Sequence, residues 1–216
     1  MTWPKNIIDA KRLQELHRMR VAVVSLPNEP RYIAGVDAAF SEDHVYAVAC
    51  LYRLPELVLV GQTTAVTKAT FPYVPGYLFF REGPAIIAAL KKLSKKPDLI
   101  LVDGQGIAHP LGIGSASHLG VLLGIATIGC AKTRLIGEFR EPGKKKGNWS
   151  ELRDQDRILG AVLRTRDGVR PLFVSPGHKV ELADAIRITL ACTAGYRIPE
   201  PLRCADILSR KMKAGR

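Results

Sequence analysis

Two aspartates occupy positions where an aspartate is costly: Asp37 lies inside the apolar run IAGVDAAF, and Asp103 closes LILVDGQG. A carboxylate in a buried strand is expensive unless it is hydrogen-bonded or paired with a cation. At a strand end, the same group can present its oxygens to Mg²⁺, which prefers carboxylates, water and phosphate. Glu82, just after the segment FFR, is placed to add a third oxygen. Metal ions held by such acids against a phosphodiester can activate water and stabilise the leaving oxygen. The plainer alternative pairs Asp37 with a core arginine and lets Asp103 cap a turn. For either acid alone the two readings are balanced. Their coincidence on a basic chain favours a metal site. No G-x-x-x-x-G-K-[ST], H-E-x-x-H or G-x-S-x-G motif offers a competing chemistry.

Two neighbouring stretches could handle a substrate. In Asp103-Gly104-Gln105-Gly106-Ile107-Ala108-His109-Pro110, the glycines let the backbone approach a phosphate or a base edge. His109 follows a candidate metal acid closely enough to touch the same phosphate, whereas His118 reads as structural. In Pro72-Tyr73-Val74-Pro75-Gly76, prolines and a glycine stiffen a loop that carries one aromatic ring. Such a tip can wedge between bases and help extrude one. Taken alone, Tyr73 is better read as covering the core beneath a connection. Lys132 closes the short run ATIGCAK, where its ammonium could meet phosphate or remain solvated. Lys144, Lys145 and Lys146 form a loop run that reads as a flexible backbone contact or as ordinary surface.

The elements that must position these residues are legible in outline. Apolar spacing (Leu13, Leu16, Met19, Val23) predicts a leading amphipathic helix over residues 8–24, within a helical segment 1–30. Residues 32–40, 45–53 and 56–68 read as three strands joined by the short turns SEDH and LPE, hence an antiparallel meander. Pro84 suits a helix start, with 85–93 continuing from it. DLILVD is a continuous apolar strand, which belongs in a sheet covered on both faces. A helix over 115–124, a buried strand in ATIGCAK and a hairpin over 159–165 and 171–174 follow. Two helices, over 180–194 and 201–213, complete the pattern. Three antiparallel strands and then alternating helices and strands predict one α/β domain with a mixed sheet over the whole chain.

Composition bounds the function. The chain has 216 residues, 47% hydrophobic and 24% charged, enough for one sizeable core. Lys and Arg number 32 against 20 acids, a net charge of +12 that would attract a polyanion. Cys50, Cys130, Cys192 and Cys204 form no C-x-x-C pair, so a zinc knuckle or disulfide framework is not indicated. The segment MTWPKNIIDAKRLQELH lacks a signal-like apolar core, and residues 112–131 are too interrupted by Gly, Ser and His118 to span a membrane. The expectation is a soluble cytoplasmic protein, monomeric and without an obligate protein partner.

The ordered segments YIAGVDAAF, FPYVPGYLFFREGP, LILVDGQGIAHPLGIGSASHLGVLLGIATIGCAKTRLIG, PLFVSPGHKV and YRIPEPLRCADILSRK closely resemble endonuclease V. This family of DNA repair nucleases is directed to deoxyinosine, and the likeness runs from about Arg31 to Lys211. It implies a ribonuclease H-like fold with a mixed five-stranded central sheet flanked by helices. It also implies Mg²⁺, with Mn²⁺ able to substitute, and cleavage of the second phosphodiester 3′ to the lesion, leaving 3′-hydroxyl and 5′-phosphate ends. By the same likeness Asp37 and Asp103 would bind metal directly, Glu82 would complete the site and Asp206 would be its fourth acidic member. Tyr73 would be the wedge, held by Pro72, Pro75 and Gly76. The base would enter a pocket bordered by Gly104, Gly106 and the segment from Gly129 to Lys132, with Lys132 and His109 near the phosphate. One departure is Leu111, where many family members carry arginine after His-Pro. The alternatives are a nuclease of the same fold acting on inosine-containing RNA or on DNA junctions, or a non-catalytic nucleic-acid-binding protein.

Overall fold

The computed structural model describes residues 3–215. Strands β1 (Tyr32–Phe40), β2 (His44–Arg53) and β3 (Val58–Lys68) pair antiparallel, as their short connections predict. β4 (Leu99–Val102) and β5 (Ala126–Ala131) add in parallel beyond β1. This much is the expected mixed α/β arrangement. The sheet is larger than expected, however, with eight strands in the order β3-β2-β1-β4-β5-β8-β7-β6. The predicted hairpin is formed by β7 (Arg157–Leu163) and β8 (Leu172–His178), and β8 joins β5 antiparallel. β6 (Trp149–Asp154) forms the far edge. Its sequence, WSELRD, gives no apolar strand signal because an edge strand pairs on one side and is largely solvated.

Among the described residues five helices cover the sheet: α1 (Ile7–Arg18), α2 (Leu78–Lys91), α3 (Ser115–Leu123), α4 (Leu182–Ala191) and α5 (Glu200–Ala214). Alternation along β4 explains why LILV is apolar throughout. Ile100 and Val102 pack with Phe79 and Phe80 of α2 and Leu119 of α3, while Leu99 and Leu101 pack with Ile188 of α4 and Leu202 of α5. Odd-numbered positions of β1 and β4 therefore face the α5 side. Gly35 lets α5 lie unusually close to β1, since a Cβ there would stand 2.2 Å from the Pro201 carbonyl carbon. Among the described residues no helix is long and apolar enough to cross a membrane.

Two helices differ from expectation, each for a definite reason. α1 ends at Arg18, and the side chains it buries are Ala10, Gln14 and His17; Leu16, Met19 and Val23 are exposed. Part of the surface it meets is polar, although Ala10 and Leu13 pack into the apolar core. Gln14 donates to the Gly76 carbonyl at 3.1 Å, and His17 Nδ1 lies 3.1 Å from His118 Nδ1. α2 begins at Leu78, so Pro84 sits inside the helix. Proline has no N–H, which leaves the Phe80 carbonyl without its helical donor. The Trp3 indole N–H takes that place at 2.7 Å. The helix thus continues through the proline, and Glu82 projects from its second turn.

Candidate active site

The register of β1 and β4 pairs Val36 with Val102, so Asp37 and Asp103 come next on adjacent strands and on one face. The Asp103 amide still donates to the Val36 carbonyl, at 3.4 Å, as β4 ends. α5 crosses this face and contributes Asp206. One carboxylate oxygen from each of Asp37, Asp103 and Asp206 lies within 4.8 Å of the others. Ser209, on the same helix, donates from Oγ to Asp37 Oδ2 at 2.5 Å. Lys132, just beyond β5, donates to Asp103 Oδ2 at 2.6 Å and to Asp206 Oδ1 at 2.9 Å. Arg210 reaches Asp206 Oδ1 from outside at 2.9 Å.

The electrostatics reflect crowded carboxylates. Burial raises the Asp37 pKa; the Ser209 hydrogen bond opposes this, while Asp103 and Asp206 add to it. Burial alone would lower the Lys132 pKa, but attraction to Asp103 and Asp206 prevails and raises it. An all-oxygen donor set of three acids fits a hard divalent cation such as Mg²⁺ or Mn²⁺ better than a thiolate- or imidazole-seeking one. Glu82 is not one of these three converging acids. It belongs to α2, on the opposite side of the sheet from α5, and is only 9% exposed. Its carboxyl is nonetheless pushed up to about 8, by burial first and then by Asp37 and Asp103. Glu82 thus adjoins the acidic group from α2, while Asp206, expected as the fourth acid, is one of the three that converge.

Beside the acids is a cleft of about 430 Å³ that has Asp103 and Lys132 in its wall. Tyr73, Val74, Pro75 and Gly76 form one side; Gly104, Gln105 and His109 form another; Lys132 leads into the Thr133-Arg134-Leu135 edge. Tyr73 is 61% exposed, with the Phe40 ring 6.1 Å from its own, so it does not cover the core. Pro72 is exposed and lies outside the cleft lining. His109 is buried at the cleft wall, and burial lowers its pKa. Its Nδ1 accepts from the Leu111 amide at 3.2 Å, which leaves the proton of the neutral ring on Nε2.

Other expected residues are placed differently. The Gly106 amide already donates to Ser175 Oγ at 2.8 Å, so it is not free for a ligand. Gly129 lies beneath the loop, where a Cβ would stand 2.3 Å from the Gly106 nitrogen. Gly129 lets β5 press against the loop, and Gly106 lets the loop press against Pro176 of β8, whereas Gly104 lines the cleft. His118 is buried and stacks on Phe79 with ring centroids 4.8 Å apart. Leu111 lines a separate groove beside α1. Lys145 and Lys146 are tied to Asn148, Asp167 and Thr193 outside the cleft lining. Ser209 is the residue that sequence reasoning passes over. Its one mark is spacing: Leu202, Ala205 and Ser209 share the buried stripe of α5, and a serine there needs a partner.

Comparison with known proteins gives a consistent result. The endonuclease V family model matches residues 15–207. An endonuclease V from Geotalea uraniireducens (strain Rf4) is 47% identical over 205 residues, covering 95% of this chain and 88% of that protein. The crystal structure of an endonuclease V from Streptomyces avermitilis superposes with a TM-score of 0.94 at 42% identity, covering 99% of this chain and 95% of that one. Endonuclease V from Ciona intestinalis superposes with a TM-score of 0.84 at 31% identity, covering 97% and 98% of the respective chains. That structure is a complex with a 24mer DNA containing an inosine followed by a ribo-adenosine.

Proposed function

This chain belongs to the endonuclease V family, and on that footing we propose that it cuts DNA at deoxyinosine, the product of adenine deamination. The observation that carries the reading is the convergence of Asp37, Asp103 and Asp206, with Asp103 in the wall of a cleft flanked by Tyr73. The cut falls at the second phosphodiester 3′ to the lesion and leaves 3′-hydroxyl and 5′-phosphate ends; the family resemblance alone supports this position and polarity. The all-oxygen site and the family likeness support Mg²⁺, with Mn²⁺ as a substitute. Asp37, Asp103 and Asp206 are the residues that would hold it. Such an ion supplies charge neutralisation at the scissile phosphate and activation of the attacking water.

The chain's own residues do the rest. Tyr73, presented on a proline-stiffened loop, enters the stack and favours extrusion of the lesion base. The loop stays in place partly because Gln14 holds the Gly76 carbonyl. The extruded base occupies the cleft beside Gly104 and Gln105, close to the acids. Lys132 offers its ammonium to the phosphate near the cut, and His109, being neutral, contributes a hydrogen bond from Nε2 in place of charge. Ser209 keeps the Asp37 carboxylate oriented, and Glu82, which has Asp37 and Asp103 as charged neighbours, completes the acidic site from α2. The surrounding excess of Lys and Arg steers the polyanion in.

A second reading, inosine-containing RNA, is favoured by one observation: the Ciona complex carries a ribonucleotide directly after the inosine. Matched DNA and RNA oligomers, with and without one inosine, should be incubated with Mg²⁺ or with a chelator. Cleavage of inosine DNA that requires Mg²⁺ supports the proposal. Cleavage confined to the RNA oligomer would replace it with the second reading.

A further inference from the structure

Of the four cysteines, Cys130 and Cys192 are sealed in the core, where burial first raises their pKa values. Cys50 and Cys204 are different. Cys50 lies on β2 with no exposed surface, and Cys204 lies half-buried on the first turns of α5. Although 154 residues apart in sequence, their Sγ atoms stand 2.8 Å from one another. A disulfide bond is about 2.05 Å long, so the two sulfurs need approach by less than an ångström to bond. We propose that Cys50 and Cys204 are a redox-active pair that closes to a reversible disulfide, stapling α5 onto β2. This inference is independent of the substrate reading.

The oxidant is a hydroperoxide, of which hydrogen peroxide is the simplest. Cys204 reaches solvent and reacts first. Its sulfur attacks the peroxide, the O–O bond breaks, and a sulfenic acid and one water result. The Cys50 sulfur then displaces the sulfenyl oxygen, forming S–S as S–O breaks and a second water leaves. In total two thiols are oxidised by two electrons and one peroxide is reduced to two waters. A dithiol reverses the change by exchange. Because the resolving thiol already touches the one that reacts, sulfenic acid has little time to oxidise further. The helix being fastened is the one that carries Asp206 and Ser209, so the staple holds part of the acidic site against the sheet.

The test uses the full-length reduced protein, treated with a small molar excess of hydrogen peroxide, then alkylated and digested without reductant. One intramolecular cross-link joining the Cys50 and Cys204 peptides is expected, with a mass loss of about 2 Da that dithiothreitol reverses. Cys130 and Cys192 should remain reduced. The oxidised protein should melt roughly 5–10 °C higher than the reduced protein. Sulfinic acid at Cys204 beside a free Cys50, a cross-link between chains, no reaction, or an unchanged melting point would each overturn the proposal. In Cys50→Ala the sulfenic acid should persist and be trapped by a cyclic 1,3-diketone. In Cys204→Ser, a substitution at a half-buried site, Cys50 should stay reduced; oxidation of Cys50 there would contradict the assigned order.

Discussion

Ser209 donates a hydrogen bond of 2.5 Å to Asp37, tying α5 to β1 across the acidic site. This bond opposes the rise that burial imposes on the Asp37 pKa. Ser209→Ala should therefore make the carboxylate harder to ionise and less well oriented. The expected loss is about 10–100-fold in kcat/KM at limiting Mg²⁺, with partial recovery at high Mg²⁺. A metal titration of cleavage rates checks this, and an unchanged curve would remove Ser209 from the site.

Lys132 bridges Asp103 and Asp206 and so competes with any cation for their oxygens. Lys132→Ala should bind Mg²⁺ more tightly by calorimetry in the absence of DNA, while cleaving inosine DNA more slowly. It should also reduce the salt dependence of DNA binding by about one released counterion. Weaker metal binding by this variant would reverse the assigned roles.

Tyr73 exposes its ring beside the cleft, 6.1 Å from the Phe40 ring. Tyr73→Ala should leave thermal stability nearly unchanged but reduce discrimination of inosine duplex from undamaged duplex by about 1–3 kcal/mol. Paired binding curves on the two duplexes measure this directly. Equal discrimination in the variant and the parent protein would leave the wedge without support.

Glu82 gives a pH signature in the metal-free protein. Its pKa is raised from the ordinary 4.5 to about 8, by burial first and then by Asp37 and Asp103. An acid raised on folding stabilises the folded state fully below its ordinary pKa, and this contribution is lost as pH climbs through the folded value. The melting point in chelator should fall between pH 4.5 and about 8 on this account. Glu82→Gln should flatten that fall, which thermal melts across the range will show. An identical slope in both proteins would mean that Glu82 ionises freely.

How far the sequence reveals the site depends on the kind of signal each residue carries. Asp37 and Asp103 stand out because a charge in an apolar strand violates the surrounding pattern, and strand register then makes them neighbours. Asp206 lies on a mixed polar and apolar helix where an acid is unremarked, so only family likeness points to it before the fold is known. The element carrying Glu82 is read one turn too late. Pro84 reads as a helix start, whereas the helix begins at Leu78, the Trp3 indole meets the Phe80 carbonyl that Pro84 leaves free, and Glu82 falls in the second turn. The five strands nearest the acids follow from their apolar content and turns, but β6 does not, because its solvated edge position leaves little pattern to read.

The central claim is that Asp37, with Asp103 and Asp206, holds the metal that enables cleavage. The most direct test compares the parent protein and Asp37→Ala for binding and cutting of one inosine-containing DNA duplex across a Mg²⁺ titration. Asp37→Ala is expected to bind the duplex with affinity close to that of the parent and not to cut it at any Mg²⁺ concentration. Normal cutting by Asp37→Ala would contradict the account.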